Sequence, residues 1–70
     1  MSLHVGHAKL TRSMKDLTVL WSQVRPSWRD EVARSFEEDV IIDLQHRVRS
    51  ATGAMQQMQE VIQRVRRDCA

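Results

Sequence analysis

Apolar residues recur at helical spacing along the first third of the chain. From the first of them onward, the steps alternate between four and three residues, which places the side chains on one face of a helix. The positions are Leu10, Met14, Leu17, Trp21 and Val24. The pattern stops at Arg25-Pro26-Ser27, because proline has no amide hydrogen and moves the preceding residue out of the helical region. We therefore expect a first helix over about residues 7–24 and a turn over 25–27.

A longer apolar seam occupies the second half of the chain. It also advances by alternate steps of three and four residues, and it contains Ile41, Leu44, Val48, Ala51, Met55, Met58, Ile62, Val65 and Cys69. Upstream, Val32, Ala33, Phe36 and Val40 extend the stripe, with a shift of phase near residue 40. This periodicity predicts a second helix over about residues 28–68.

Polar residues at the ends of the second segment agree with that prediction. Ser27 precedes Asp30 by three residues, the spacing of a helix N-cap motif. Asp30 and Glu31 fall in the predicted first turn, where the helix dipole favours negative charge. Asp43 and Arg47 stand four residues apart, so their side chains meet on a helix surface.

Gly53 leaves two architectures open. A break at Ser50-Ala51-Thr52-Gly53 would divide the second segment and produce a three-helix bundle. An unbroken helix would produce an all-α helical hairpin with one short and one long arm. The seam keeps its phase through this region, which favours the hairpin.

The unequal lengths of the two arms predict self-association. A first helix of about 18 residues spans roughly 27 Å, and a second of about 41 spans roughly 60 Å. The short arm then packs Leu10, Met14, Leu17 and Trp21 on Val32, Phe36, Val40 and Leu44. The far half of the long arm stays uncovered, and its predicted interface residues are Ala51, Met55, Met58, Ile62, Val65 and Cys69. Two-fold pairing of hairpins into a four-helix bundle would bury them.

Composition limits the chain to a single domain over residues 1–70. Apolar residues make up 41% and charged residues 29% of the sequence, as in ordered soluble proteins. A single cysteine excludes an internal disulfide, so the small core has no covalent support. The longest apolar run, Val40-Ile41-Ile42, is far too short to span a membrane. Because no signal-peptide hydrophobic region is present, we expect a cytoplasmic protein, with export only by a signal-peptide-independent route.

Residues capable of catalysis or metal binding do not form a recognisable site. His4 and His7 supply two ligands at most, whereas a closed zinc site needs four. The acidic cluster Glu37-Glu38-Asp39 has neither a base partner nor a glycine-rich loop beside it, so we interpret it as a solvated face. We therefore expect no enzymatic activity, no cofactor, no bound metal and no small-molecule substrate.

Arginines in the second half of the chain offer an alternative function. Arg47, Arg49, Arg64, Arg66 and Arg67 could follow the phosphates of a nucleic acid. No aromatic residue accompanies them for base stacking, and acidic residues interrupt the set. Nucleic-acid binding by a small basic regulator is therefore the second hypothesis.

Aromatic residues concentrate around the predicted turn. Trp28-Arg29-Asp30 is followed by Phe36, eight residues after the tryptophan. This arrangement resembles the Trp-x-Gly family of small bacterial helical-hairpin proteins, which are substrates of type VII secretion. Asp30 stands at the position of the family's glycine, and the family's tyrosine-containing export signal is absent. The resemblance implies a dimeric hairpin that acts as a secreted effector or adaptor.

The sequence as a whole thus predicts a non-enzymatic protein–protein interaction module. Its expected partner is a second copy of the chain or another helical protein.

Overall fold

The computed structural model describes residues 2–69, and nearly all of them are helical. Helix α1 runs over Leu3–Val24, and a 3-10 turn over Arg25–Ser27 reverses the chain. Helix α2 covers Asp30–Phe36, a π-helical turn covers Glu37–Ile41, and α3 covers Ile42–Cys69. The last three elements follow one another without interruption and form one long arm, residues 30–69. The predicted all-α helical hairpin is confirmed.

Helix α1 begins four residues earlier than the periodicity predicts. Ser2 is its N-cap, and the Ser2 hydroxyl accepts a hydrogen bond of 3.1 Å from the backbone N–H of Val5. This side-chain bond satisfies one of the amide groups that a helix start leaves unpaired. The cap therefore brings Leu3, which also lies on the apolar face, into the helix as its first residue.

The turn differs from the predicted cap. Ser27 does not cap the second arm; its hydroxyl donates to the carbonyl of Val24 at 2.7 Å. Arg29 occupies the N-cap position without a side-chain cap bond, and the arm starts at Asp30 rather than at residue 28. Asp30 and Glu31 do lie in the first helical turn, as predicted.

The π-helical turn accounts for the shift of phase seen in the sequence. In a regular α-helix, residues eight apart point about 80° away from each other. The π turn lies between Ala33 and Ile41 and rotates less per residue than an α-helix, so it removes most of this angular difference. Both side chains therefore face α1, where they are buried together with Trp21.

The core consequently uses different residues of the second arm from those predicted. Trp21 and Phe36 do pack together, with ring centroids 4.9 Å apart. Val32 and Val40, which we expected in the core, are exposed. Ala33 and Ile41 replace them, because the π turn rotates the helix by nearly one residue.

The long arm passes through Gly53 as uninterrupted helix. Gly53 lies inside α3 with a negative φ, so the three-helix alternative is wrong. The Asp43–Arg47 pair predicted on this helix is present, with a distance of 2.8 Å. The resulting hairpin is a rod of 59 × 17 × 12 Å.

Helix α1 covers more of the long arm than its predicted length allows. His4 and His7, near its start, lie beside Gln59 and Gln63 of α3. Half-buried side chains on α3 extend as far as Gln59. The continuously exposed part of the arm is therefore its last ten residues, 60–69, rather than its whole far half.

Candidate protein interaction surface

Three aromatic side chains close the turn end of the hairpin. Trp21 lies edge-on to Trp28, with ring centroids 5.1 Å apart at 87°. Phe36 completes the cluster, 5.1 Å from Trp28. Of the three predicted turn-motif residues, Trp28 and Phe36 thus pack on each other and on Trp21, whereas Asp30 is exposed at the first position of α2.

One polar contact fixes the orientation of the buried indole. The Nε1–H of Trp21 donates to Oε1 of Glu37 at 2.9 Å. The Nε of Arg25 lies 3.3 Å from the same oxygen, within ion-pair distance but without hydrogen-bond geometry. Because the contact joins α1, the turn and the π turn, it holds the aromatic cluster in one arrangement.

The first broad side of the hairpin carries a groove, here called the polar groove after its charged, amide and hydroxyl side chains, whose lining also includes Met14, Val19 and Val48. Thr11, Lys15 and Thr18 of α1 share a groove with Gln45, Arg49 and Thr52 of α3. Within this groove the amide of Gln45 lies 3.4 Å from the Thr18 hydroxyl, which donates to the carbonyl of Met14 at 2.9 Å. Further along, His4 and His7 face a row of glutamines from α3 on the same flank. This side therefore combines polar residues of both helices, the acidic Glu60 among them, with the apolar residues of the groove.

The second broad side carries two separate stretches of apolar residues. With 3.6 residues per turn, Leu17, Leu20 and Val24 lie on the flank of α1 opposite Lys15 and Val19. Likewise, the flank of α3 opposite Arg49 and Thr52 carries Ala54, Met58, Val61, Ile62 and Val65. Since the other two flanks line one groove, these apolar flanks must lie together on the reverse side of the hairpin.

Two apolar patches stand out on this reverse side. The turn patch comprises Leu17, Leu20, Val24, Trp28 and Phe36, which line a cleft of about 190 Å³ above the buried Trp21 and Ile41. The distal patch comprises Ala54, Met58, Val61, Ile62 and Val65; the first four line a shallow depression with Gln57. Leu20 and Met58 are more than half exposed, at 56% and 55%. The exposed Asp43–Arg47 ion pair lies between the patches along the arm.

The predicted interface residues divide into two groups. Ala51 and Met55 are half-buried alongside α1. Met58, Ile62, Val65 and Cys69 are exposed. Met58 is exposed because it lies on the reverse flank of α3, whereas Ile62, Val65 and Cys69 lie in the continuously exposed stretch after Gln59.

The arginines of the nucleic-acid hypothesis occupy different surroundings. Arg47 is paired with Asp43, and Arg49 lines the polar groove. Arg64, Arg66 and Arg67 lie on the last exposed turns of α3, about 25–30 Å further along the helix. The fold therefore spreads these five side chains along the arm and does not gather them into one cluster.

Sequence periodicity missed the turn patch. Leu20 lies outside the α1 seam and Val24 is its last residue, yet both are exposed in one cleft. A signal was present, because Leu17-x-x-Leu20 and Leu20-x-x-x-Val24 form a second apolar line beside the seam. Whether this second apolar line is buried or exposed depends on which face of α1 the second arm covers, and the sequence does not specify that face.

Neither a metal site nor a membrane-spanning helix is found among the described residues. Across residues 2–69, no three His, Cys, Asp or Glu side chains are close enough together to hold a metal ion. Within that range, neither arm has a stretch sufficiently long and apolar to cross a membrane. No protein-family model matches the chain, and no curated protein or solved structure compared with it is significantly similar.

Proposed function

We propose that this chain is a protein–protein interaction module that works as a self-associating helical hairpin. The observation that carries the proposal is the apolar broad side, on which two patches of large aliphatic and aromatic residues remain open to solvent. Exposed apolar patches rimmed by polar residues mark sites of protein association. On the opposite broad side, Val19 is the large exposed hydrophobic residue that lines the groove.

Surface area supports the same proposal. A compact monomer of 8.2 kDa would expose about 4,500 Å², whereas this chain exposes 5868 Å². The excess of about 1,300 Å² is more than the 800 Å² that each partner contributes to a standard interface. Only Trp21, Ala33 and Ile41 are buried among residues 2–69, so the hairpin has little core of its own. Pairing of apolar sides would supply the missing core.

The test is the molar mass in solution, measured by light scattering after size exclusion. We expect a dimer for the native chain. Met58→Asp and Val65→Asp each place a charge in the distal patch, and both should yield monomers or unfolded chain.

Val19→Asp is the matched control for Val65→Asp. The two valines are exposed to similar degrees, 49% and 53%, but Val19 borders the polar groove. The control should remain dimeric. A monomeric native chain that is fully helical, or an unchanged dimer in both distal variants, would refute the proposal.

A further inference from the structure

We infer that two copies pair with their ends exchanged, so that the distal patch of each seats on the turn patch of the other. The inference rests on the proposed self-association and adds to it the orientation and the register of the partner. The occupant of the apolar cleft at the turn is thus the overhanging end of α3 from a second copy.

The positions of the two patches make this arrangement self-consistent. If two long arms, residues 30–69, overlap fully in antiparallel orientation, aligned residue numbers sum to 99. Met58 then lies level with the partner's Ile41, which forms part of the turn cleft. Ile62 lies level with the partner's Glu37, next to Phe36 of the partner subunit. Full overlap of the two arms therefore places each distal patch level with the partner's turn patch, and no further shift along the helix axis is needed.

The overhang and the cleft also complement each other in shape. Beyond Gln59 every residue of the arm up to Cys69 is exposed, and α1 lies beside it only through His4 and His7, near Gln63. At the turn end, by contrast, the two arms and the turn enclose an apolar depression. Val32 and Val40, about one helical turn on either side of Phe36, are also exposed. A helix laid into an apolar groove is a recurrent mode of recognition.

Charge distinguishes the exchanged orientation from a parallel one. Residues 25–43 contain three Arg and six Asp or Glu, a net charge of −3. Residues 44–69 contain five Arg and two acidic residues, a net charge of +3. Exchanged ends bring the acidic part of each arm beside the basic part of the other, whereas parallel packing would align like charges. Such complementarity selects orientation between otherwise similar apolar contacts.

The single native cysteine allows a direct measurement on the unaltered sequence. Cys69 is exposed at the end of the arm, so a nitroxide spin label can be attached to it in the full chain. In the exchanged dimer the two labels lie about 60 Å apart, since each is about 20 residues from the centre of the arm. Parallel packing would bring them within about 20 Å. We expect the long distance in pulsed dipolar spectroscopy of a sample whose dimeric mass has been verified.

A cross-linking variant provides an independent measurement. Val32→Cys introduces a second thiol at the turn end, level with the partner's Arg67 and close to the partner's Cys69. Mild oxidation should join residue 32 of one copy to residue 69 of the other, identified by mass spectrometry of the linked peptides. Val19→Cys, beside the polar groove, should form no such link.

The outcomes separate the two proposals. A verified dimer with a short label distance, or with links between the two Cys69 residues alone, overturns the exchanged arrangement and leaves self-association intact. A chain that stays monomeric overturns the proposed function itself, and this inference with it.

Discussion

The indole Nε1–H of Trp21 donates to the carboxylate of Glu37 at 2.9 Å, across the two arms of the hairpin. The acceptor belongs to the π turn, the one place where the long arm departs from regular α-helix. The bond therefore ties the only buried aromatic residue among residues 2–69 to the element that sets the phase of the core.

Removal of this acceptor should weaken the hairpin. Glu37→Ala leaves the indole N–H without its partner and also removes the nearby charge from Arg25. Because Glu37 is partly solvent-exposed, we expect the free energy of unfolding to fall by about 1 kcal/mol. Urea denaturation followed by circular dichroism measures it. Glu37→Gln retains an amide oxygen that can accept the bond and should lose less than half as much; equal losses in both variants would show that the bond does not contribute.

Two adjacent isoleucines test the phase set by the π turn. Ile41 is 5% exposed and Ile42 is 39% exposed. Truncation of a buried isoleucine to alanine costs about 2–5 kcal/mol, and truncation of an exposed one much less. Ile41→Ala should therefore lower the free energy of unfolding far more than Ile42→Ala at equal chain concentration. The reverse order would mean that the arm is rotated relative to the structure described here.

Replacement of Gly53 tests the continuity of the long arm. A methyl group built at this position meets no atom within 4 Å, and the backbone φ is negative. Alanine is favoured over glycine in a helix interior by up to about 1 kcal/mol. Gly53→Ala should thus raise the thermal midpoint. Gly6→Ala in α1, where the added methyl group also meets no atom within 4 Å, should raise the midpoint in the same way. A lowered midpoint at Gly53 alone would indicate a turn there in solution.

Stability should depend on chain concentration. If the apolar sides pair, folding and association are coupled, and mass action raises the thermal midpoint as the protein is concentrated. Thermal unfolding followed at 222 nm over about a hundredfold range of concentration measures this dependence. Val65→Asp should abolish the dependence and Val19→Asp should preserve it. A midpoint independent of concentration in the native chain would contradict self-association.

Much of the hairpin follows from local patterns. The seam from Leu10 to Val24, the proline at the turn and the uninterrupted seam through Gly53 predict two helices and the place where they reverse. These patterns suffice because a helix face depends on the spacing of residues within one segment. Even the change of phase near residue 40 is visible in the order of the apolar residues.

The identity of the core and of the open surface depends on contacts between segments. The apolar stripe made of Val32, Ala33, Phe36 and Val40 is so wide that several rotations of the arm about its own axis would each bury part of it. Packing against Trp21, together with its bond to Glu37, selects the rotation that buries Ala33 and Ile41. The same choice exposes Val32 and Val40 and opens the cleft beside Leu20.

Periodicity in the chain therefore establishes the two helices, the turn and the approximate apolar faces. The reach of α1, the π turn and the gathering of apolar flanks on one broad side come from the packing of one arm on the other. The physical reason is that spacing along a helix fixes directions only relative to that helix's own axis. Their relation to a second helix is decided by close packing and by one hydrogen bond between residues 16 apart in the sequence.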